Sequence, residues 1–282
     1  MTTKPPLKTA YGGATIPLHY SDLGTYWECH RKWYYQRQGW RPTVLPEPML
    51  RGLLVDRGVA AAWQGKSVTE GVAGEVVLQI RYVDLAHPNN ADELQGKIRS
   101  IGKEAVAMAE RYMQHLGKDL QPLLVATTVI KNSLAGPIAG TPDCVAMHKD
   151  KRVLVELKTG HDPNPKLYSK TGQADFYAHL LGDIDLIYYD LVSPNNVMRY
   201  ERPPRRDRGE YLFKTLEGIA RDLHMMRQWD KDQPRYGWWC TRCPYTEACD
   251  ARDDGADEEE VLLTTMWREE EDEAKYSGEV QL

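Results

Sequence analysis

The feature that most constrains this 282-residue chain is a pair of apolar, β-branched runs, Gly136–His148 and Lys151–Lys158, separated by little more than His148-Lys149-Asp150. Such runs joined by a short polar turn predict a β-hairpin. Each run carries charge where it would be buried. Gly140-Thr141-Pro142-Asp143 lies in the first, and Glu156-Leu157-Lys158 follows with twelve residues between. A hairpin brings Asp143 and Glu156 onto neighbouring strands. Glu156 and Lys158 are two apart and share one face, while Leu157 points to the other, into the core.

Val153, Leu154 and Val155 run directly into Glu156, so these charges carry a desolvation cost unless they are paired or bound to metal. Two converging carboxylates make a hard-oxygen site suited to Mg²⁺ or Mn²⁺. The adjacent lysine offers positive charge to a developing oxyanion. This combination points to metal-assisted phosphodiester hydrolysis.

The rest of the chain reads as an α/β domain with a mixed sheet. A helix is predicted from a Ser21-Asp22 cap through Tyr26, Trp33 and Tyr34, and another over Met49–Trp63. Residues 74–83 read as a strand or the edge of a helical region. Residues 92–117 read as one amphipathic helix. Leu123–Ile130 is β-rich, Thr171–Leu181 helical, Leu186–Val192 with Val197–Glu201 a second hairpin, and Asp207–Trp229 a long helix.

Residues 251–282 hold twelve acidic and three basic residues, so a net of −5 for the chain leaves +4 for residues 1–250. Like-charged runs, Asp257 to Glu260 and Glu269 to Glu273, are expected to stay solvated. Val261-Leu262-Leu263 and Met266-Trp267 between them leave room for a protein partner. No apolar stretch reaches eighteen residues, and the N-terminus lacks an apolar leader, so a cytoplasmic protein off the membrane is expected.

Cys144 reads as a core residue. Cys240-Thr241-Arg242-Cys243 and Cys249 form a separate set that needs a fourth ligand, Cys29 or Cys144, to hold Zn²⁺ or a [4Fe–4S] cluster. Arg31, Lys32 and Arg37 interleave with Trp27, Trp33, Tyr34, Tyr35 and Trp40 and suit sequence-independent nucleic-acid binding. Arg202, Arg205, Arg206 and Arg208 form a second basic run beside Pro203-Pro204.

Pro142-Asp143 with Glu156-Leu157-Lys158 resembles the motif of the PD-(D/E)xK nuclease superfamily. The resemblance implies a restriction-endonuclease-like core: a mixed central sheet flanked by helices. It also implies Asp143 and Glu156 as metal ligands, the Leu157 carbonyl as a further one, and Lys158 as a catalytic group. Gln173 and Tyr177, at i and i+4, resemble the QxxxY motif of the RecB-like branch, whose residues reach the active site or the DNA backbone. That branch carries G-x-x-x-H upstream. Here Gly52-Leu53-Leu54-Val55-Asp56 ends in Asp, a ligand equally acceptable to a hard cation or else a partner of Arg51 or Arg57.

Cys29 before Arg31 and aromatics, with Cys240, Cys243 and Cys249 near the C-terminus, resembles the iron–sulfur framework of RecB-like exonucleases. The AddB nuclease domain and the CRISPR-associated enzymes are of this kind. The resemblance implies Cys29 as the fourth ligand of a [4Fe–4S] cluster joining the terminal helices, with Zn²⁺ the lesser alternative. The expected organisation is an extension over 1–19, the nuclease domain over 20–250 and an acidic tail over 251–282. The implied activity is a DNA exonuclease on single strands or DNA ends, in recombination, repair or spacer processing, in phage or CRISPR settings. A catalytically weak DNA-binding adaptor and a structure-specific endonuclease are the alternatives.

Overall fold

The computed structural model describes residues 17–86, 90–161, 164–168, 170–225, 233–268 and 280–281. Most of the expected extension over 1–19 and the acidic run Glu269 to Glu273 lie outside the described residues. In chain order the first elements are β1 (Leu18–His19), α1 (Tyr20–Glu28), α2 (His30–Arg37), β2 (Trp40–Pro42), α3 (Glu47–Trp63), α4 (Val68–Ala86) and α5 (Ala91–Tyr112). A π-helical turn, Met113–Gly117, closes α5. Then come β3 (Gln121–Val125), β4 (Val129–Ser133), β5 (Gly136–Gly140), β6 (Cys144–His148), β7 (Lys151–Thr159), α6 (Pro165–Tyr168) and α7 (Gln173–Leu181). The last are β8 (Leu186–Val192), β9 (Val197–Arg202), α8 (Arg206–Met225), α9 (Thr246–Asp253), α10 (Glu258–Thr265), β10 (Met266–Arg268) and β11 (Val280–Gln281).

The chain forms two compact units. One comprises Met1–Pro42, Val129–Gly140 and Tyr211–Leu282; the other comprises Thr43–Thr128 and Thr141–Glu210. The second unit holds a five-stranded mixed sheet in the order β3-β6-β7-β8-β9. Within this sheet only β7 and β8 pair in parallel, and the connection between them through α6 and α7 makes this a β-α-β crossover. Helices α3, α4 and α5 supply Leu54, Val55, Val59, Val72, Ile101, Ala105, Met108 and Tyr112 to a buried core shared with Leu157 and Val192 of the sheet.

Two ion pairs lock this sheet from inside. Asp190 on β8, fully buried, accepts from Arg199 Nε at 2.7 Å and Nη2 at 2.6 Å, and from Tyr112 Oη at 2.8 Å. Asp175 on α7, 1% exposed, accepts from Arg202 Nη1 at 2.6 Å and Nη2 at 3.0 Å. The Arg202 fork also donates to Tyr189 Oη at 2.7 Å, tying α7 to β8 and β9.

The first unit contains the sheet β1-β5-β4-β11 and the ribbon β10-β2. Its N-terminal helix is broken. Cys29 takes an extended backbone, φ −161° and ψ 121°, which ends α1 and starts α2. Asp22 is not the cap itself. His19 occupies that place, and the Asp22 carboxylate reaches back to the His19 N–H at 2.6 Å while taking Trp33 Nε1 at 2.9 Å.

Other expectations are resolved or corrected. Residues 74–83, left open between a strand and the edge of a helical region, take the second course and are helical within α4. The buried positions Val68, Val72, Glu75, Gln79 and Val83 fall at helical spacing, and the two polar ones masked the stripe. Leu123–Ile130 divides into β3 and β4 at Ala126, whose φ of 46° turns the chain. The long run Gly136–His148 also divides, because Thr141-Pro142-Asp143 interrupts the ladder between β5 and β6. The run Asp257 to Glu260 does not stay merely solvated. Asp257 caps α10 by accepting the Glu259 N–H at 2.9 Å, and acids in the first turn favour that helix end. Leu262 and Met266 are buried within the chain, whereas Leu263 is exposed.

Removing one partner of the buried pair between α7 and β9 strands a charge. Arg202→Ala is expected to cost about 3–5 kcal/mol in urea unfolding, and the apolar double replacement Asp175→Leu/Arg202→Met is expected to recover part of that loss.

Candidate active site

All the residues of the nuclease-like motif fall within the second unit. The β6–β7 register pairs Cys144 with Val155, so Asp143, one residue before β6, stands beside Glu156. Asp143 is not itself in the strand. The break at Pro142 frees its side chain to turn onto β7, where Oδ2 accepts the Leu157 N–H at 2.7 Å. Leu157 lies in the core of α3–α5, and strand alternation sends Glu156 and Lys158 to the opposite face. There Lys158 Nζ donates to Glu156 Oε1 at 2.6 Å and to Gln173 Oε1 at 3.2 Å. Gln173 Nε2 in turn donates to Tyr177 Oη at 3.1 Å. The i, i+4 pair on α7 thus forms a relay of hydrogen bonds ending on the lysine.

Gly52 brings α3 close to the end of β7: a Cβ there would stand 3.0 Å from Thr159 Oγ1. One helical turn on, Asp56 is placed where Lys158 favours its charge and Glu156 opposes it. It does not pair with the neighbouring arginines. Arg57 Nε bonds Glu75 at 3.1 Å, and Arg51 bonds Glu47 at 2.6 Å and Glu104 at 3.2 Å.

The electrostatics of the cluster are those of crowded acids. Burial, then Glu156 and Asp56, hold the Asp143 carboxyl well above the usual range. Burial also raises Glu156, against the pull of Lys158. Asp56 is pushed up to about 7, first by burial and then by Glu156. Lys158 keeps its proton more firmly than a free lysine, since Glu156, Asp143 and Asp56 outweigh the desolvation of its ammonium. One ammonium therefore faces three acids.

Among the described residues, no three His, Cys, Asp or Glu side chains are drawn together as a metal-ligand group. The residues nevertheless fit a hard divalent cation. Glu156 is 2% exposed, and its Oε2 is buried without any hydrogen-bond partner. An orphaned carboxylate oxygen among like charges is the donor chemistry that Mg²⁺ or Mn²⁺ takes up.

A family profile described as PD-(D/E)XK nuclease superfamily matches residues 17–250. The chain belongs to the PD-(D/E)XK nuclease superfamily. Membership implies nuclease activity, and PD-(D/E)XK nucleases generally use Mg²⁺ or Mn²⁺. No curated protein matches the chain. A solved structure titled "Crystal structure of SSO0001" is similar over 83% of this chain and 86% of that one, at 14% identity and a TM-score of 0.39. Among the described residues of this PD-(D/E)XK chain, no helix is long and apolar enough to cross a membrane.

The remaining expected site residues lie in the first unit. Cys29, Cys240, Cys243 and Cys249 are all unpaired by disulfides. Burial raises the Cys243 thiol, with Cys29 and Cys240 adding to the rise. Cys249 is pushed up to about 11, by burial first, with Cys243 and Cys29 contributing. Cys144 is fully buried in the sheet core of the second unit. Arg31 is buried and paired with Asp253 at 2.8 Å, Lys32 with Glu28 at 2.9 Å, and Arg37 Nη1 donates to the Pro17 carbonyl at 2.9 Å. These three cations are engaged within the chain.

Asp175 escaped the sequence reading. Its signal was a lone acid on the otherwise apolar stretch Ala174–Ala178, matched by an arginine at the end of a strand.

Proton linkage follows from the crowding. With Asp56 at about 7 when folded against an ordinary 3.8, the folded chain holds a proton that the unfolded chain has lost across that window. Ion-free stability therefore falls as pH rises from 3.8 to about 7. A dication opposes this loss by replacing the proton. The rise in Tm caused by Mn²⁺ is expected to be small at pH 5 and larger at pH 8, with affinity climbing about tenfold per pH unit below pH 7 for each proton displaced. Equal Tm gains at both pH values would contradict this reading.

Proposed function

We propose that this chain is a metal-dependent DNA exonuclease of the RecB-like, iron–sulfur type, acting on single-stranded DNA or DNA ends without sequence preference. The observation that carries the hydrolytic part is the buried, partnerless Oε2 of Glu156 beside Asp143, Asp56 and Lys158. Asp143 and Glu156, with the Leu157 carbonyl and Asp56, would hold Mg²⁺ or Mn²⁺. The ion supplies Lewis-acid charge and an activated water for phosphodiester hydrolysis. Lys158 keeps a proton at Nζ and presents positive charge to the phosphate oxygens as they gain charge. Gln173 fixes the direction of that ammonium, and Tyr177 fixes Gln173. Asp143, by accepting the Leu157 N–H, holds the strand that carries the other groups.

Four free thiols in one unit, two of them raised by burial with neighbouring thiols adding to the rise, support a shared soft-ligand site for a [4Fe–4S] cluster, with Zn²⁺ as the alternative occupant. A domain over 20–250 with an acidic tail, and a role in recombination, repair or spacer processing, are parts of the same reading. They rest on the motif resemblance.

Lys158→Ala and Glu156→Ala are each expected to lower cleavage of end-labelled single-stranded DNA in Mn²⁺ by about 10²–10³-fold. A covalently closed circular single strand should be spared. Cutting of the circle would favour an endonuclease, and absence of any Lys158-dependent cleavage would favour an adaptor.

Anaerobically purified protein is expected to be brown, to absorb near 400 nm and to contain iron and sulfide. Cys240→Ser should bleach it. Colourless protein carrying zinc would replace the cluster with a Zn²⁺ site and leave the hydrolytic reading in place.

A further inference from the structure

The basic run after β9 does not behave as one surface. Arg202 turns inward and is spent on Asp175 and Tyr189. Arg205 and Arg206 are exposed, and Arg208 is half-buried. This turn is clamped to the first turn of α7. The Arg205 N–H donates to Asp175 Oδ1 at 2.9 Å. Gly209 presses so closely on α7 that a Cβ there would meet the Asp175 carbonyl oxygen at 2.4 Å. Arg208 Nη2 donates to the Lys170 carbonyl, three residues before Gln173, and Gln173 accepts from the active-site lysine. Lys170 and Arg205 are therefore held at the first turn of α7, which carries Gln173, whereas Arg206 reaches the Gly182 carbonyl at the other end of that helix.

Their charge is not consumed internally. Asp175, the buried acid beneath them, is already bound bidentately by Arg202. Among the described residues, Arg206 has no ion pair, and its Nη1 donates to the Gly182 carbonyl at 3.2 Å. Among the described residues, the Arg205 and Lys170 side chains have no ion-pair partner. By contrast, the cations of the N-terminal helices are paired within their own unit.

We infer that Lys170, Arg205 and Arg206, braced by Arg208, form a phosphate-binding surface that grips the backbone of the DNA strand, Lys170 and Arg205 beside the end of α7 that carries Gln173 and Arg206 farther along the helix. Exposed guanidinium forks on a rigid turn beside a hydrolytic cluster match a repeated phosphate, and they carry no base-reading geometry. The inference rests on the reading of DNA as substrate.

The test is fluorescence anisotropy of a labelled oligothymidylate with the full-length Lys158→Ala protein, so that the strand is not cut. Adding Lys170→Gln, Arg205→Gln and Arg206→Gln is expected to weaken binding. It should also flatten the plot of log affinity against log salt by about 2, at ~0.7 per lost phosphate contact. Lys103→Gln, an exposed change on α5, should leave the slope as it was. If the triple replacement melts early, Arg205→Gln alone should still remove about 0.7. An unchanged slope, equal losses from Lys103→Gln, or no oligonucleotide binding at all would overturn the surface. Slope loss in a protein whose wild type cuts no DNA would sink the cleavage reading and keep the surface, and wild-type cleavage with an unchanged slope would do the reverse.

Discussion

Like charges forced together out of water are what this fold is built to tolerate. Asp143, Glu156 and Asp56 resist ionisation because each is desolvated and two of them feel their neighbours, while a single ammonium offsets them. A protein has no reason to keep such a cluster for stability, since apolar residues of similar volume would fill the site with less desolvation cost. Under the proposed function, a cation arriving from solution would offset that cost. Everything around the cluster serves to hold it against that repulsion: the Asp143 contact to the β7 backbone, the close approach of α3 at Gly52, and the Gln173–Tyr177 relay.

That holding depends on order several ångströms away. Gln173 reaches Lys158 only if α7 lies in one place, and Asp175, two residues on, is what seats α7 on the sheet. Asp190 does the same for β8, which pairs in parallel with β7 and sets Asp190 opposite Leu157. Buried arginine–carboxylate forks are geometrically exacting, so they give position where apolar packing alone would allow drift. In this sheet they flank the strand and the helix that carry Glu156, Lys158 and Gln173.

The site was more legible in the sequence than the path of the chain around it. Alternation along Val153–Lys158 and the short turn at Lys149-Asp150 already placed Asp143 beside Glu156 and Lys158 on the outer face, and β6–β7 pair in that register. The interruption at Thr141-Pro142-Asp143 was not read, because Gly136–His148 is continuously apolar enough to pass for one strand. What divides it is membership of two sheets, a tertiary fact without local signature. Residues 74–83 stay open between strand and helix in the sequence for a different reason, and the structure makes them helical. Glu75 and Gln79 occupy buried helix positions, Glu75 compensated by Arg57 and by Gln79, so a count of apolar residues misses half the stripe. Cys29 reads as mid-helix by composition, yet its extended backbone divides the helix in two.

The fate of the basic residues carries the same lesson into function. Arg31, Lys32 and Arg37 sit among aromatics and look, in one dimension, like a nucleic-acid face, whereas Arg202 to Arg208 read only as a second basic run beside two prolines. Composition cannot separate a cation that is available from one that is committed. The distinction lies with partners far away in sequence: Asp253 takes Arg31 and Asp175 takes Arg202, while Arg205 and Arg206 stand exposed on the clamped turn. A chain with a net charge of −5 can still bind a polyanion when its acids are buried in ion pairs or confined to one end. Where the unspent cations stand, rather than how many there are, decides where a strand would lie.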